Sequence, residues 1–327
     1  MTFVLRDVAP TDIDALHAIY AYHVVHGTGS WEYEPPDRAE MMRRYEAVRA
    51  AGYPYLVAEV AGRVVGYSYA SAFRGRPGYR FTCEDSIYVA PDIQRRGVAR
   101  ALLTELMARC TTLGLRQMLA VIGDSENTAS IALHRALGFE LLTDARALGW
   151  KFRRDLGWVL MQRTLATTPF PPASLEVRVD DPAGAAGQAL LWGLTLELLA
   201  MDGDRGEDGR GAVTLGDLQA PEAVFVIARL DGQPAGCGAL RPLEPGAVEV
   251  KRMYTAPWAR GKGVAAGVLA ALETQALARG QTILRLETGD RQAAANRLYE
   301  RAGFVRIPCY GPYAGRDWSR CYEKRLA

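Results

Sequence analysis

The chain carries one sequence unit twice. Residues 87–103, IYVAPDIQRRGVARALL, align without a gap with residues 253–269, MYTAPWARGKGVAAGVL. Two shorter segments recur in the same order, 58–66 as 228–236 and 133–139 as 298–304. Because the repeat has the length of a whole domain, it indicates a duplicated domain and not a solenoid of short units. The total of 327 residues agrees, since one hydrophobic core seldom extends beyond about 250–300 residues.

The segment between the copies, ATTPFPPASLEVR at 166–178, is rich in proline, threonine and serine, which is typical of a linker. We therefore predict a first domain over 1–165, a linker over 166–174 and a second domain over 175–327. The elements predicted for the first copy are a helix from an N-cap at Thr11 toward His26, a hairpin over 55–72, a strand over 84–89, a helix over 99–114, a strand over 116–123, a helix over 128–139 and a strand over 159–165. This order predicts a mixed α/β fold.

Composition excludes several classes of protein. The formal net charge of +2 gives no electrostatic reason to expect a nucleic-acid or membrane partner. The most apolar stretch, 189–200, is short and contains Glu197, so it predicts a packed helix and not a membrane span. The first residues lack the basic and apolar stretches of a secretory signal. We therefore expect a cytoplasmic protein.

Neither cysteine nor histidine spacing indicates a metal site. The chain has five cysteines: Cys83, Cys110, Cys237, Cys309 and Cys321. They form no CxxC pair and no zinc or disulfide framework, so we expect reduced thiols. His23 and His26 have the spacing of one helix face, but a metal site would need a third ligand.

Each copy has a turn rich in arginine and glycine between a strand and a helix, QRRGVA at 94–99 and RGKGVA at 260–265. Backbone N–H groups at a helix N-terminus attract anions, and the helix dipole adds to the attraction. Gly97 and Gly263 would let the backbone approach a phosphate, while the basic side chains supply charge. We interpret each turn as a pyrophosphate-binding site.

Three other kinds of turn share some of these features. A Rossmann dinucleotide site would need a GxGxxG motif at the start of the domain, and neither copy has one there. A nucleotide P-loop would need GK followed by serine or threonine, which both turns lack. A solvated basic turn stays open for one copy, although two copies with the same flanking strand and helix favour a ligand site.

The turns fit the pattern [Q/R]xxGx[G/A], as Gln94-Gly97-Ala99 and as Arg260-Gly263-Ala265. The sequence thereby resembles the GNAT superfamily of acetyltransferases, in two tandem copies that together span nearly the whole chain. The first copy further resembles phosphinothricin and methionine sulfoximine/sulfone acetyltransferases through three segments: 27–36, 73–89 and 120–139. The second resembles a less characterised acetyltransferase group through 249–257 and 311–315.

The resemblance implies acetyl-CoA as the cofactor and assigns residues to it. In this family the strand before the turn separates from its neighbour, and its backbone binds the pantetheine arm. The residues implied for the first copy are Ile87, Tyr88, Val89, Gln94, Arg95, Arg96, Gly97, Val98, Ala99 and Asn127. Those implied for the second copy are Met253, Tyr254, Thr255, Arg260, Gly261, Lys262, Gly263, Val264 and Ala265.

The resemblance also implies catalytic and acceptor-binding residues. Glu84 matches the general base; the alternative is a strand glutamate paired with an arginine. His134, and Tyr299 in the second copy, match the acid that protonates the departing thiolate. Trp31, Arg74, Arg76 and Tyr79 match residues that bind the acceptor, with an exposed basic loop as the alternative.

The second copy departs from the pattern, because Val250 aligns with Glu84. Glu249 is adjacent, but in a regular strand it points to the opposite face, and a bulge would be needed to re-aim it. The cofactor-binding turn is complete, whereas the base of this copy is in question.

We therefore expect an N-acetyltransferase that uses acetyl-CoA to acetylate a small amino acid or analogue. One alternative is a tandem enzyme like mycothiol synthase, in which one half catalyses. A second alternative is that the second half binds coenzyme A without catalysis. A third is that the whole protein is a coenzyme A-binding sensor or scaffold without turnover. The expected partner is a small amine, with no nucleic acid and no membrane. A homodimer and an intramolecular pseudo-dimer are both open.

Overall fold

The computed structural model describes residues 2–167, 170, 172–203 and 213–326. The chain divides into two compact units, residues 1–169 and 170–327. Each unit holds one seven-stranded mixed sheet with helices packed on it, so the predicted α/β fold in two copies is confirmed. Among the described helices, none is long and apolar enough to cross a membrane.

The first unit consists of β1 (Val4–Asp7), α1 (Ile13–His26), α2 (Arg38–Ala50), β2 (Tyr55–Val60), β3 (Arg63–Ala72), β4 (Thr82–Val89), α3 (Val98–Thr112), β5 (Gln117–Ile122), α4 (Thr128–Ala136), β6 (Glu140–Lys151) and β7 (Arg154–Thr164). Its strand order is β1-β2-β3-β4-β5-β7-β6. β4 and β5 run parallel, and the other neighbours run antiparallel.

The second unit consists of β8 (Leu175–Val179), α5 (Ala185–Asp202), α6 (Leu215–Gln219), β9 (Val224–Leu230), β10 (Gln233–Glu244), β11 (Ala247–Thr255), α7 (Val264–Leu277), β12 (Ile283–Gly289), α8 (Ala293–Arg301), β13 (Val305–Ile307) and β14 (Ser319–Arg325). Read from β8, its order is β8-β9-β10-β11-β12-β14-β13. This is the topology of the first sheet, with β11 and β12 as the parallel pair.

The helix after each anion-binding turn packs on its sheet through the same positions. α3 and α7 each bury five side chains at matching places along the repeat, Val98, Leu102, Leu103, Leu106 and Cys110 in α3 and Val264, Val268, Leu269, Leu272 and Ala276 in α7. This spacing lays one apolar stripe against the sheet, and each large side chain buried in this way contributes about 1.5–3 kcal/mol. The helix axis, and with it the N-terminal turn, is therefore fixed in the same way in both units.

Several elements differ from the predictions. A 3-10 turn at Pro10–Asp12 precedes α1, which begins at Ile13, so Thr11 is not its N-cap. Neither α2 nor β6 was predicted. α2 buries Met41 and little else, and nearly all of β6 is exposed, so neither sequence shows the apolar periodicity on which a prediction depends.

The expectation of five reduced cysteines was wrong for one pair. Cys309 and Cys321 form a disulfide, with Cα atoms 5.1 Å apart. The pairing follows from the sheet, because Ile307 on β13 lies opposite Cys321 on β14 and Cys309 is two residues further on. Linear spacing does not reveal this cross-strand contact. Cys83, Cys110 and Cys237 are free and buried.

Candidate active site

The two arginine- and glycine-rich turns have the same backbone conformation. In the first unit Arg95 and Gly97 have φ of 61° and 83°, and in the second Gly261 and Gly263 have φ of 74° and 80°. Two left-handed residues separated by one other residue turn successive N–H groups toward one side, which forms an anion-binding concavity at the helix start. Arg95 adopts this conformation at a cost of roughly 1–2 kcal/mol, which glycine at position 261 avoids.

The space in front of the turns is open. A Cβ atom added at Gly97, Gly261 or Gly263 would meet no atom within 4 Å. Glycine at these positions is therefore required by the positive φ and not by a neighbouring side chain. An open concavity of N–H groups with basic side chains around it fits a pyrophosphate.

The basic residues of the second turn already have partners within the unit. The Arg260 guanidinium forms an ion pair with Glu197 on α5, and its Nε also donates to the Thr255 carbonyl at 3.3 Å. Lys262 lies with its Nζ 5.4 Å from the centre of the Trp258 ring. In the first turn, Gln94, Arg95 and Arg96 are exposed.

The strand before each turn separates from its parallel neighbour. Pairing of β4 with β5 runs from Thr82 to Asp85 and stops, although β4 continues to Val89. Ile87, Tyr88 and Val89 therefore lie in the separated part, and Met253, Tyr254 and Thr255 do so in the second unit, where pairing stops at Val250. Backbone groups on this side of the strand face the gap and are placed to bind an amide-containing arm such as pantetheine.

Glu84 lies one residue before the end of the β4–β5 pairing, opposite Ser71 on β3 and Leu119 on β5. Its side chain is half-buried, and burial raises its pKa, with a further increase from the charge of Asp85. Among the described residues, none forms a hydrogen bond or an ion pair with it, so the alternative of an arginine-paired glutamate is not what the geometry favours. A half-buried carboxylate without a partner has the properties of a general base.

His134 is not open to a thiolate. Its side chain is 2% exposed, with Nε2 3.1 Å from Oδ2 of Asp85 and Nδ1 2.8 Å from the Ser130 carbonyl. Burial lowers the pKa of His134, but the hydrogen bond and charge of Asp85 outweigh it, and the pKa is raised. Both ring nitrogens face an oxygen acceptor, so the raised pKa favours an imidazolium whose two N–H groups are both engaged. The predicted role as a direct acid therefore does not fit this geometry.

Tyr299 holds the position of His134 in the second unit. It is 5% exposed and packs against the rings of Phe304 and Tyr322, with ring centres 5.8 and 6.2 Å away. Burial raises the pKa of its phenol. Like His134, it lies in the core beneath the site. Asn127 is the N-cap of α4, where its Oδ1 accepts from the Ser130 N–H at 3.2 Å.

Two segments supply the predicted acceptor-binding residues. Arg74 lies over the rings of Phe73 and Tyr79, at 5.1 and 5.7 Å, and Arg74 and Arg76 are exposed in the loop between β3 and β4. This loop leads directly into the strand that carries Glu84.

Trp31 lies in the other segment, where its Nε1–H donates to the Gly123 carbonyl and its ring lies against Gly149 on β6. An added Cβ at Gly149 would lie 2.5 Å from that ring, so only glycine fits there.

A buried lysine, which sequence reasoning missed, fixes the segment that carries Trp31. Lys151 is 4% exposed, and its ammonium donates to three carbonyls, at 2.6 Å to Val24, 3.1 Å to Gly27 and 2.8 Å to Ser30. These bonds join the loop after α1 to the β6–β7 hairpin. The separation of more than 120 residues between donor and acceptors leaves no local signal in the sequence.

In the second unit, Glu249 takes the sheet position of Glu84. Gly66 on β3 and Gly236 on β10 are matching positions of the repeat. The residue five positions after Gly66 is Ser71, which lies opposite Glu84, and the residue five positions after Gly236 is Arg241, which lies opposite Glu249. β11 contains one extra residue, in a bulge at which Arg252 has φ of 56°. The bulge re-aims Glu249, and the alignment of Val250 with Glu84 holds only in the sequence.

The surroundings of Glu249 differ from those of Glu84. Glu249 is fully buried and accepts from Arg241 Nε at 2.6 Å and from the Tyr310 hydroxyl at 3.1 Å. Lys251 lies 3.8 Å away and donates to the Tyr313 hydroxyl at 2.9 Å. Tyr310 and Tyr313 come from the loop that the Cys309–Cys321 disulfide closes.

Comparison with known proteins follows the division into two units. The sequence model of the acetyltransferase (GNAT) family matches residues 16–139 and 195–304. Phosphinothricin N-acetyltransferase of Alcaligenes faecalis is 50% identical over 161 residues, which is 49% of this chain and 82% of that protein. L-methionine sulfoximine/L-methionine sulfone acetyltransferase of Pseudomonas paraeruginosa is 38% identical over 173 residues, covering 53% of this chain and all of that protein. Both relatives match the N-terminal half.

A solved structure has the same fold over that half. The phosphinothricin acetyltransferase of Sinorhizobium meliloti, crystallised in complex with acetyl-CoA, superposes with a TM-score of 0.50 at 48% identity. The match covers 52% of this chain and 94% of that one.

Proposed function

The chain belongs to the GNAT family of acetyltransferases, and on this basis we propose that its first unit transfers the acetyl group of acetyl-CoA to the amine of a small amino acid or amino-acid analogue. The observation that carries the proposal is Glu84, a half-buried carboxylate that lies where β4 separates from β5 and has no hydrogen-bond or ion-pair partner in the part of the chain that the structure describes. Dependence on acetyl-CoA itself follows from the family and from the relatives.

The residues present fit acetyl-CoA. The turn from Gln94 to Ala99 would hold the pyrophosphate, and Ile87 to Val89 would bind the pantetheine arm through the separated backbone of β4. Bound in this way, acetyl-CoA supplies an acetyl group activated as a thioester. Every further contribution to the reaction comes from the protein.

Glu84 takes the proton from the acceptor ammonium and so makes the amine a nucleophile. Burial and the charge of Asp85 raise the pKa of Glu84, which makes it a better proton acceptor than an exposed glutamate. The backbone of β4 beyond Asp85 lies beside the gap, where its N–H groups would stabilise negative charge on the thioester carbonyl oxygen.

Arg74 and Arg76 would bind the acceptor carboxylate. They are exposed in the loop that enters β4, and a guanidinium pairs with a carboxylate through two parallel hydrogen bonds. Trp31, with Tyr79, would form an apolar wall for the side chain. The named relatives act on phosphinothricin and on methionine sulfoximine or sulfone, so we propose amino acids of this kind as acceptors.

The second unit would bind a second acetyl-CoA, because its turn and its separated strand repeat those of the first. Glu249 at the register position of Glu84 favours a catalytic role on another amine. Its ion pair with Arg241 favours a coenzyme-binding unit without turnover. We propose a cytoplasmic location, as the use of acetyl-CoA supports. For assembly we propose a homodimer or an intramolecular pseudo-dimer.

The test is release of free coenzyme A thiol by the full chain. The acceptors are methionine sulfone, methionine sulfoximine, phosphinothricin and the common amino acids, with ethanolamine and putrescine as amines without a carboxylate. We expect turnover with one or more of the carboxylated amines. Turnover confined to ethanolamine or putrescine, or absent with every acceptor, would refute the proposed function.

A further inference from the structure

Asp85 is buried directly behind Glu84. The two residues are adjacent on β4, so their side chains point to opposite faces of the sheet. The side chain of Asp85 is 2% exposed, and its Oδ2 accepts from His134 at 3.1 Å. Its Oδ1 is also buried and has no hydrogen-bond partner among the described residues. A buried charge needs a partner of opposite sign, and His134, whose pKa is raised, is the cation beside this carboxylate.

Two other titratable groups close to Asp85 or Glu84 have raised pKa values, which favours their neutral forms. The thiol of Cys83, on the same strand as Asp85, has its pKa raised by the hydrogen bond it donates to Cys110 and by burial. On the other face, the Tyr69 phenol of β3 interacts with Glu84, and burial raises its pKa. The ring of Phe139 lies edge-on to His134, 4.9 Å between centres. Among the described residues, the charge that raises the pKa of Glu84 is that of Asp85, which pairs with His134, and Arg44 acts on the neighbouring Tyr69.

The second unit replaces both members of the pair. Asp85 lies opposite Ala120 on β5, and the matching position on β11, opposite Leu286, is Val250. The residue that matches His134 is Tyr299. One unit thus has two buried charges here and the other has none, as expected if either charge alone would be left without a partner. The pair acts as one element, and the same fold forms without it.

We propose that Asp85 is a positioning residue of the first unit's acetyl-transfer site: paired with His134, it places a carboxylate behind Glu84 that keeps Glu84 a strong proton acceptor. His134 then acts through Asp85 and not on the thiolate. The inference rests on the proposed function, in which Glu84 is the base. It assigns a role to a charge pair that the core of the second unit does without.

The direction of the effect follows from Coulomb's law. A negative charge near Glu84 disfavours its ionised form, so protons bind it more tightly and it accepts the acceptor's proton more readily. Removing the charge of Asp85 makes Glu84 a weaker base. The Glu84 carboxylate would then stay ionised to a lower pH than in the wild type. The variant would therefore keep a larger fraction of its maximal activity at low pH.

The test compares three full-length variants by the pH dependence of kcat/KM with methionine sulfone. Asp85→Asn removes the charge, and the double variant Asp85→Val/His134→Tyr installs the pair found in the second unit. Glu84→Gln shows how much of the fall in kcat/KM toward low pH, the acid limb, is caused by protonation of Glu84. Asp14→Asn, which removes an exposed carboxylate on α1, is the matched control.

For the wild type and each variant, kcat/KM at pH 5.5 is divided by kcat/KM at pH 8. We expect this ratio to rise about threefold in Asp85→Asn and in the double variant, and to stay at the wild-type value in Asp14→Asn. The double variant should keep the thermal stability of the wild type, which separates the electrostatic effect from misfolding. Slower turnover at every pH with an unchanged ratio would make Asp85 merely structural and overturn the inference. An acid limb that persists in Glu84→Gln would instead refute Glu84 as the base, and with it the proposed function.

Discussion

Glu249 lies at the sheet position of Glu84, yet the two carboxylates differ in what holds them. Arg241 and Tyr310 donate to Glu249, whereas Glu84 has no such partner among the described residues and has a raised pKa. A proton acceptor must be free to bind the acceptor's proton, and a carboxylate fixed by a guanidinium is less so. The two units thus share an architecture and differ in the chemistry that this position offers.

Replacing Glu84 with Gln should lower kcat for the amino-acid acceptor by roughly a hundredfold, because the general base is lost while the shape of the side chain is kept. Affinity for acetyl-CoA should change little, since Glu84 is not part of the cofactor-binding turn. Glu249→Gln is the register-matched control and should leave this rate within about twofold. Wild-type turnover by Glu84→Gln would show that another group is the base.

Gly97→Glu and Gly263→Glu should each remove one acetyl-CoA site. Both glycines have a positive φ, and a carboxylate there would repel the pyrophosphate. Calorimetry should give two sites for the wild type and one for each variant. Amino-acid acetylation should be lost in Gly97→Glu and survive in Gly263→Glu; the reverse pattern would make the second unit the catalytic one.

Arg74→Gln/Arg76→Gln should raise KM for methionine sulfone by roughly 10- to 100-fold with little change in kcat, since charge-assisted hydrogen bonds to the carboxylate are lost. Methionine sulfone methyl ester lacks the carboxylate and serves as the control acceptor. Its KM should be the same for both proteins. An equal effect on acid and ester would show that the arginines support the loop and do not recognise the carboxylate.

His134→Gln should destabilise the first unit by about 3 kcal/mol at pH 6, because it leaves the buried charge of Asp85 without its cation. The pKa of His134 is raised in the folded state, so its stabilising contribution is complete below the unfolded value near 6.5 and is lost as pH rises through the folded value. The free energy of unfolding obtained from hydrogen exchange of α4 amides should therefore be lower in the variant than in the wild type, and this difference should become smaller from pH 6 to pH 9. A difference independent of pH would mean that His134 is neutral in the fold.

Sequence patterns predict the repeated parts of this protein well. Local signals suffice for the hairpin of β2 and β3 and for α3 with its buried stripe, and the turns at Gly97 and Gly263 follow from glycine and charge alone. The site's finer chemistry depends on contacts distant in sequence. Asp85 meets His134 across 49 residues, and the bulge at Arg252 changes which glutamate faces β10.

The bulge at Arg252 explains why sequence alignment does not identify the residue of the second unit that occupies the sheet position of Glu84. Counting back from the turn places Val250 with Glu84, and one extra residue in β11 undoes that count. Arg252 has no side-chain feature typical of a bulge. Its positive φ becomes visible only when the register of both neighbouring strands is known.

Lys151 has a consequence for how the acceptor range of such an enzyme could change. Three carbonyls, of Val24, Gly27 and Ser30, surround its ammonium as they would surround a bound potassium ion, but here the cation is covalently part of the β6–β7 hairpin. Loop and hairpin are therefore coupled through one side chain. A graft of residues 27–36 from another enzyme would keep this anchor only if its backbone carbonyls met a lysine at position 151, and replacing Lys151 would release the loop from the hairpin without any change in the loop's own sequence.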